Sequence, residues 1–236
     1  MSECTLLVLA GGYGTRLRGV VSDVPKPLAP VAGRPYLHYL LQLWLSQGVT
    51  RLIFLLHHEA EQIQVFLRST QDLLRGIAVD VLVEPQAMGT GGALAYAVRQ
   101  LQLEGTFLVA NADTWLGTGL ARVAAAPAPA MAVVTVDNCE RYGQVRIEHG
   151  AVMAFTEKAG CAGRGEINAG LYHLHARDFA QWDGAPFSIE QSLFSQLAGT
   201  GRLSAVRIET DFIDIGVPDD YAHFCRWIEA GRQGAL

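Results

Sequence analysis

The sequence predicts an α/β fold in which helices flank a mixed, mostly parallel central sheet. Three observations predict it. Short apolar runs without alternation, the pattern of strands buried on both faces, recur through the first half of the 236-residue chain. Between them lie segments whose apolar residues recur at helical spacing, as right-handed βαβ units require. Half of the residues are hydrophobic and 17% are charged, a balance that closes a core and excludes a disordered chain.

The elements follow in order. Thr5 to Ala10 is a buried strand that stops at Gly11-Gly12. After a Pro-rich stretch, Leu37, Leu40, Leu41, Trp44 and Leu45 mark a crossover helix, with Gly48 placed to cap its end. Arg51 to Leu56 is the second strand, the segment around Ile63, Phe66 and Leu67 the second helix, and Val79 to Val83 the third strand. Gly91 to Leu103 puts Leu94, Val98 and Leu101 on one helical face, and Thr106 to Ala110 is a strand ending at Asn111-Ala112-Asp113. The Ala/Pro segment Ala124 to Ala130 reads as a loop. Beyond it the rhythm changes to strand-like pieces, Met131 to Val136, Gly143 to Ile147, Val152 to Phe155 and Ala169 to Leu174, which suggest an antiparallel or mixed extension. Ser188-Ile189-Glu190-Gln191 matches a capping box that opens a helix along Ile189, Leu193 and Leu197. Pro218 begins the last helix, with Tyr221, Phe224 and Ile228 inward.

The charge balance is 18 basic against 23 acidic residues, net −5, so a nonspecific grip on nucleic acid has no electrostatic support. Cys4, Cys139, Cys161 and Cys225 are scattered with no C-x-x-C pair, which suits a reducing cytoplasm and suggests neither zinc nor a disulfide framework. There is no leader-like start and no apolar run that reaches the roughly 18 residues of a membrane span, so the expectation is a cytoplasmic protein without a membrane partner. His57-His58 lacks a third ligand at helical spacing and reads as a strand-end turn. Trp44, Trp115, Trp182 and Trp227 read as core or rim aromatics.

The most informative stretch is Leu9-Ala10-Gly11-Gly12-Tyr13-Gly14-Thr15-Arg16-Leu17, followed by Pro25-Lys26-Pro27. Three glycines after a strand let backbone amides approach an anion, and one arginine with one lysine supply charge for a polyphosphate. No G-K-[ST] follows, and Leu17 stands where a dinucleotide fingerprint has its third glycine, so both of those phosphate loops are excluded.

This stretch resembles the signature of sugar-1-phosphate nucleotidyltransferases. The likeness continues in Met88-Gly89-Thr90-Gly91-Gly92, Asn111-Ala112-Asp113, Phe155-Thr156-Glu157-Lys158, Ile167-Asn168-Ala169-Gly170 and Phe212-Ile213-Asp214-Ile215-Gly216-Val217-Pro218. Within the family, Val20 to Pro27, Arg141-Tyr142-Gly143 and the Asp214 block look most like the D-glycero-D-manno-heptose 1-phosphate guanylyltransferases. The resemblance implies a GT-A-like, Rossmann-related fold, formed as one domain over 1–236. Residues 1–130 would bind nucleotide, and 131–236 would bind the sugar phosphate and supply the C-terminal helix.

It also implies attack of a sugar 1-phosphate oxygen on the α-phosphorus of a nucleoside triphosphate, with Mg²⁺ bridging the phosphates. Arg16, Lys26 and Asp113 are then the catalytic set, and Asp113 and Asp214 hold the metal. The implied nucleotide site is Ala10, Gly11, Gly12, Gly14, Thr15, Glu84, Gly89 and Thr90. Gly143, Glu157, Lys158, Asn168 and Gly170 form the implied sugar-phosphate site. The family usually has glycine where Ala112 stands, and a methyl there disfavours positive φ.

The resemblance places Glu84, five positions before Gly89, facing the base, and a carboxylate there can accept from N1–H and the amino group of guanine, which points to GTP. A uridylyl- or thymidylyltransferase acting on a hexose 1-phosphate stays open as an alternative, as does a silent nucleotide-sugar-binding regulatory subunit. The intact set of Arg16, Lys26, Asp113 and Asp214 argues against the silent version. Oligomeric state is left open, with a homo-oligomer compatible.

Overall fold

The computed structural model describes residues 3–156 and 163–231. Its first elements are strand β1 (Thr5–Leu9), the short strands β2 (Pro30–Val31) and β3 (Arg34–Pro35), helix α1 (Tyr36–Ser46), strand β4 (Arg51–Leu56), helix α2 (Ala60–Ser69) and strand β5 (Ala78–Val83). Then come helix α3 (Gly89–Gln100), strands β6 (Thr106–Asn111) and β7 (Thr114–Leu116), helix α4 (Leu120–Ala125), and strands β8 (Ala130–Val136), β9 (Gln144–Glu148), β10 (Ala151–Thr156) and β11 (Gly165–His175). A π turn, Glu190–Phe194, runs into helix α5 (Ser195–Gly199), and strands β12 (Leu203–Arg207) and β13 (Phe212–Asp214) precede helix α6 (Pro218–Glu229). The fold class is the α/β arrangement expected. No helix among the described residues is long and apolar enough to cross a membrane.

Compactness divides the chain into two interleaved units. Among the described residues, one takes 3–86, 111–117 and 211–231, and the other 87–110, 118–156 and 163–210. In the first unit β1, β4 and β5 pair in parallel, β4 at the centre, through registers such as Leu7 with Ile53 and Ile53 with Asp80. Leu6, Leu7, Leu52, Ile53 and Phe54 are fully buried, which explains runs without alternation. α1 ends where expected, with Gly48 at φ +89 returning its N–H to the Leu45 carbonyl at 3.0 Å. α6 lays Phe224 4.8 Å from the Tyr36 ring and 5.6 Å from Trp115, and Trp227 lies 5.3 Å from Trp115. This aromatic block backs the segments that carry both aspartates.

The second unit is largely antiparallel. β11 pairs with β6 and β8, β10 with β9 and β12, and only β12 with β8 runs parallel among the described strands of this unit. Parallel pairing thus belongs chiefly to the first unit. β12 and α4 had no sequence forecast, and α4 enters the stretch read as a loop. The expected stripe Ile189, Leu193, Leu197 is shifted: Ile189 and Phe194 are fully buried and Leu193 only half-buried. The π turn inserts one residue per turn and moves the inward position from 193 to 194.

Candidate active site

The first unit assembles the catalytic candidates. Pro25 is extended, and the 3-10 turn Lys26–Leu28 that follows is closed by the Leu28 N–H on the Pro25 carbonyl at 2.7 Å. Proline's fixed φ pre-sets that turn, so the sequence Pro25-Lys26-Pro27 itself orients the lysine. Asp113 immediately precedes β7, and Asp214 ends β13. The two strands pair antiparallel with Asp214 opposite Thr114, and the Ile215 N–H donates to the Asp113 carbonyl at 3.0 Å. The Ala112 N–H donates to the Leu9 carbonyl at 3.1 Å, tying this segment to the end of β1.

Both carboxylates converge on one ammonium. Lys26 Nζ donates to Asp113 Oδ2 at 2.6 Å and lies 3.6 Å from Asp214 Oδ1. The lysine side chain is 9% exposed, against 37% and 25% for the two acids, so the cation is the inner member. Burial first, and then the charge of Asp113, push the Asp214 carboxyl above its ordinary range. Lys26, the Gly216 N–H (2.8 Å to Oδ1) and Arg16 oppose that shift without cancelling it. The Thr114 hydroxyl donates to Asp113 Oδ1 at 3.2 Å. Tyr36 is fully buried, and burial, then Asp113 and Asp214, push its phenol well above the usual range. Its hydroxyl has no hydrogen-bond partner among the described residues.

The glycine loop borders this cluster. The Ala10 N–H already donates to the Leu55 carbonyl at 3.0 Å. Gly14 has φ +60, and a Cβ there would stand 3.2 Å from the Lys26 Cβ, so glycine lets loop and lysine approach. Gly12, Thr15 and Arg16 are exposed, Gly11 is half-buried, and Leu17, 1% exposed, pins the loop to the core. Glu84 follows β5 and is 8% exposed, its carboxylate packed against Gly11, where Oε1 is 3.0 Å from the place of an absent Cβ. A cavity of about 280 Å³ lies under the loop, its wall including Tyr13, Arg18, Ser22, Lys26, His58 and Glu59. Ala112 is buried and is not among the residues at positive φ, so the methyl in place of the family glycine fits without strain.

The remaining candidates lie in the second unit. Gly89 has φ +69, and a Cβ there would meet the Phe187 carbonyl oxygen at 2.6 Å. The Thr90 hydroxyl donates to Glu190 Oε2 at 2.8 Å and accepts the Ile189 N–H at 2.9 Å. Here Thr90 anchors the chain from 187 to 190, a role the sequence did not suggest. Asn168, Ala169 and Gly170 form a bulge in β11, where the register against β8 slips between Asn168 and Tyr172. Asn168 accepts the Gly170 N–H at 2.9 Å and donates to the Tyr172 hydroxyl at 2.8 Å. Gly143 sits half-buried before β9 with open space at its missing side chain. Glu157 and Lys158 lie outside the described residues.

Sequence reading gave no role to Tyr36, Arg18 or His58. The adjacent histidines at the end of β4 were the available signal for the last two. Among the described residues no three His, Cys, Asp or Glu side chains gather as a complete metal site.

Comparison with known proteins identifies the family. The nucleotidyl transferase family matches residues 5–226. The chain is 32% identical over 221 residues to the D-glycero-alpha-D-manno-heptose 1-phosphate guanylyltransferase of Aneurinibacillus thermoaerophilus, covering 91% of this chain and 94% of that one. It is 31% identical over 223 residues to the enzyme of the same name from Campylobacter jejuni subsp. jejuni serotype O:2, covering 92% and 97%. The crystal structure of HddC from Yersinia pseudotuberculosis complexed with GMP-PN superposes with a TM-score of 0.84 at 32% identity, over 96% of this chain and 100% of that one.

Proposed function

Because the chain belongs to the nucleotidyl transferase family, we propose that it transfers GMP from GTP to a D-glycero-D-manno-heptose 1-phosphate in the cytoplasm, giving a GDP-heptose and pyrophosphate. The observation that carries the reaction type is the convergence of Asp113 and Asp214 on Lys26 at the foot of the glycine loop. The sugar and the base follow the two bacterial relatives, and the buried Glu84 carboxylate beside Gly11 is the group that would accept from guanine N1–H and its amino group.

The reaction asks for alignment and charge neutralisation more than covalent work. A sugar phosphate oxygen is already anionic near pH 7, so no general base is required. It bonds to the α-phosphorus as the bond to the bridging oxygen breaks, and that electron pair leaves with pyrophosphate. Asp113 and Asp214 face the single ammonium of Lys26, and burial first and then the charge of Asp113 hold the Asp214 carboxyl above its ordinary range. Two hard oxygen donors fit Mg²⁺, which commonly takes one or two carboxylates and completes its shell with phosphate oxygens and water. Held by Asp113 and Asp214, the ion would draw charge from the phosphates during transfer. Arg16, exposed on the loop, would bind the triphosphate, while Lys26, held between both acids, would meet the β/γ end that departs as pyrophosphate.

The test is to offer the purified protein each of ATP, GTP, CTP, UTP and dTTP with heptose and mannose 1-phosphates while pyrophosphate release is followed. GTP with the heptose phosphate should be turned over best. Preference for UTP or dTTP would overturn the guanine assignment.

A further inference from the structure

Breaking the bond between the α-phosphorus and the bridging oxygen builds negative charge on the departing pyrophosphate. Lys26 cannot answer that charge alone, because Asp113 holds its ammonium at 2.6 Å and Asp214 stands 3.6 Å away. A second cation lines the same cavity. Arg18 is exposed, and its Nη2 lies 3.1 Å from His58 Nε2.

The chemistry of that contact is directional. A guanidinium has donors and no acceptor, so in this contact the Arg18 N–H donates and His58 Nε2 is the acceptor. One edge of the guanidinium is thereby fixed, and its other N–H groups stay available for a second, planar acceptor such as a phosphate. Tyr13 braces the arrangement: its ring lies 5.0 Å from that of His58 and 5.9 Å from that of His57, with its hydroxyl 3.3 Å from His57 Nε2. Glu59, also on the wall, sits 3.7 Å from His58 Nε2.

We propose that Arg18 binds the departing pyrophosphate and that His58 is a positioning residue which aims the Arg18 guanidinium into the cavity. The proposal rests on the nucleotidyl-transfer reading of this site. It explains why two histidines with no metal partners stand at the end of β4.

Magnesium pyrophosphate is titrated calorimetrically into the full chain and is also used as a product inhibitor against GTP. Arg18→Ala should raise both the dissociation and the inhibition constant about tenfold or more, as loss of a charge-assisted contact implies. The KM for the sugar phosphate should stay unchanged. Since Arg18 is exposed, the thermal midpoint should remain near that of the wild type. His58→Ala should weaken pyrophosphate in the same direction, and His58→Gln, whose amide oxygen can accept from a guanidinium, should recover most of the loss. Unchanged pyrophosphate constants in Arg18→Ala would overturn the binding role, and a Gln variant no better than Ala would overturn the positioning role. Arg18-dependent pyrophosphate binding by a wild type that turns over no nucleoside triphosphate would support this site while contradicting the proposed reaction.

Discussion

Asp214 carries a carboxyl whose charged form the fold disfavours, since burial and Asp113 outweigh Lys26 and the Gly216 amide. A carboxyl raised in the folded state weakens stability at pH values above its folded pKa, and the penalty is relieved as pH falls through that value toward 3.8. Asp214→Asn should therefore raise the melting temperature of the metal-free protein at pH 7, with an advantage that shrinks on acidification, while turnover falls by about a hundredfold or more. Thermal denaturation in chelator from pH 4 to pH 8 checks the sign; a variant less stable than wild type at pH 7 would contradict it. Lys26→Ala acts the other way. It leaves two carboxylates without the cation they share, and because they are 37% and 25% exposed the cost to the metal-free protein should be about 2 kcal/mol in urea unfolding, less than for a fully buried pair. GTP affinity and turnover should drop with it.

At the scale of elements, the strands of the parallel unit were legible because buried runs and their glycine stops are local signals. β4 lies at Arg51–Leu56, as read from the sequence. The exceptions are places where tertiary partners decide. α3 starts at Gly89 rather than Gly91 because Phe187 accepts the Gly91 and Gly92 N–H groups at 3.0 and 3.3 Å, a contact no local pattern reports. The π turn likewise carries no local signal, and it displaced one buried position. Thr90 gives a test at this level. Thr90→Val removes its bonds to Glu190 and Ile189 and should lower stability by about 1–3 kcal/mol, read as an earlier denaturant midpoint. An unchanged midpoint with a raised GTP KM would instead assign the hydroxyl to the nucleotide.

For the whole molecule, the fold class and family blocks were legible, whereas the way the chain interleaves was not. Asp113 and Asp214 become neighbours through β7 and β13, each only three residues long, and strands so short leave no periodicity to read. The same topology returns 111–117 and 211–231 to the unit that holds the glycine loop. The loop's motif was readable, and the family resemblance implied that Lys26, Asp113 and Asp214 share one site; the direct approach of the Lys26 ammonium to both acids, 2.6 Å and 3.6 Å, required the structure. A ligand bound by residues from three separate segments should stabilise the native state strongly. At a hundredfold excess over Kd, magnesium GTP should add about 2.7 kcal/mol, seen as a raised melting temperature that is absent in Asp214→Asn.

The central claim is that Asp113 and Asp214 hold one divalent ion together with the nucleotide. Its most direct measurement is Mn²⁺ binding by electron paramagnetic resonance in the presence of GTP, for the wild type, Asp113→Asn and Asp214→Asn. One tightly bound Mn²⁺ per chain in the wild type, lost or greatly weakened in both variants, is the expected result. Equal Mn²⁺ occupancy in all three proteins would contradict the account.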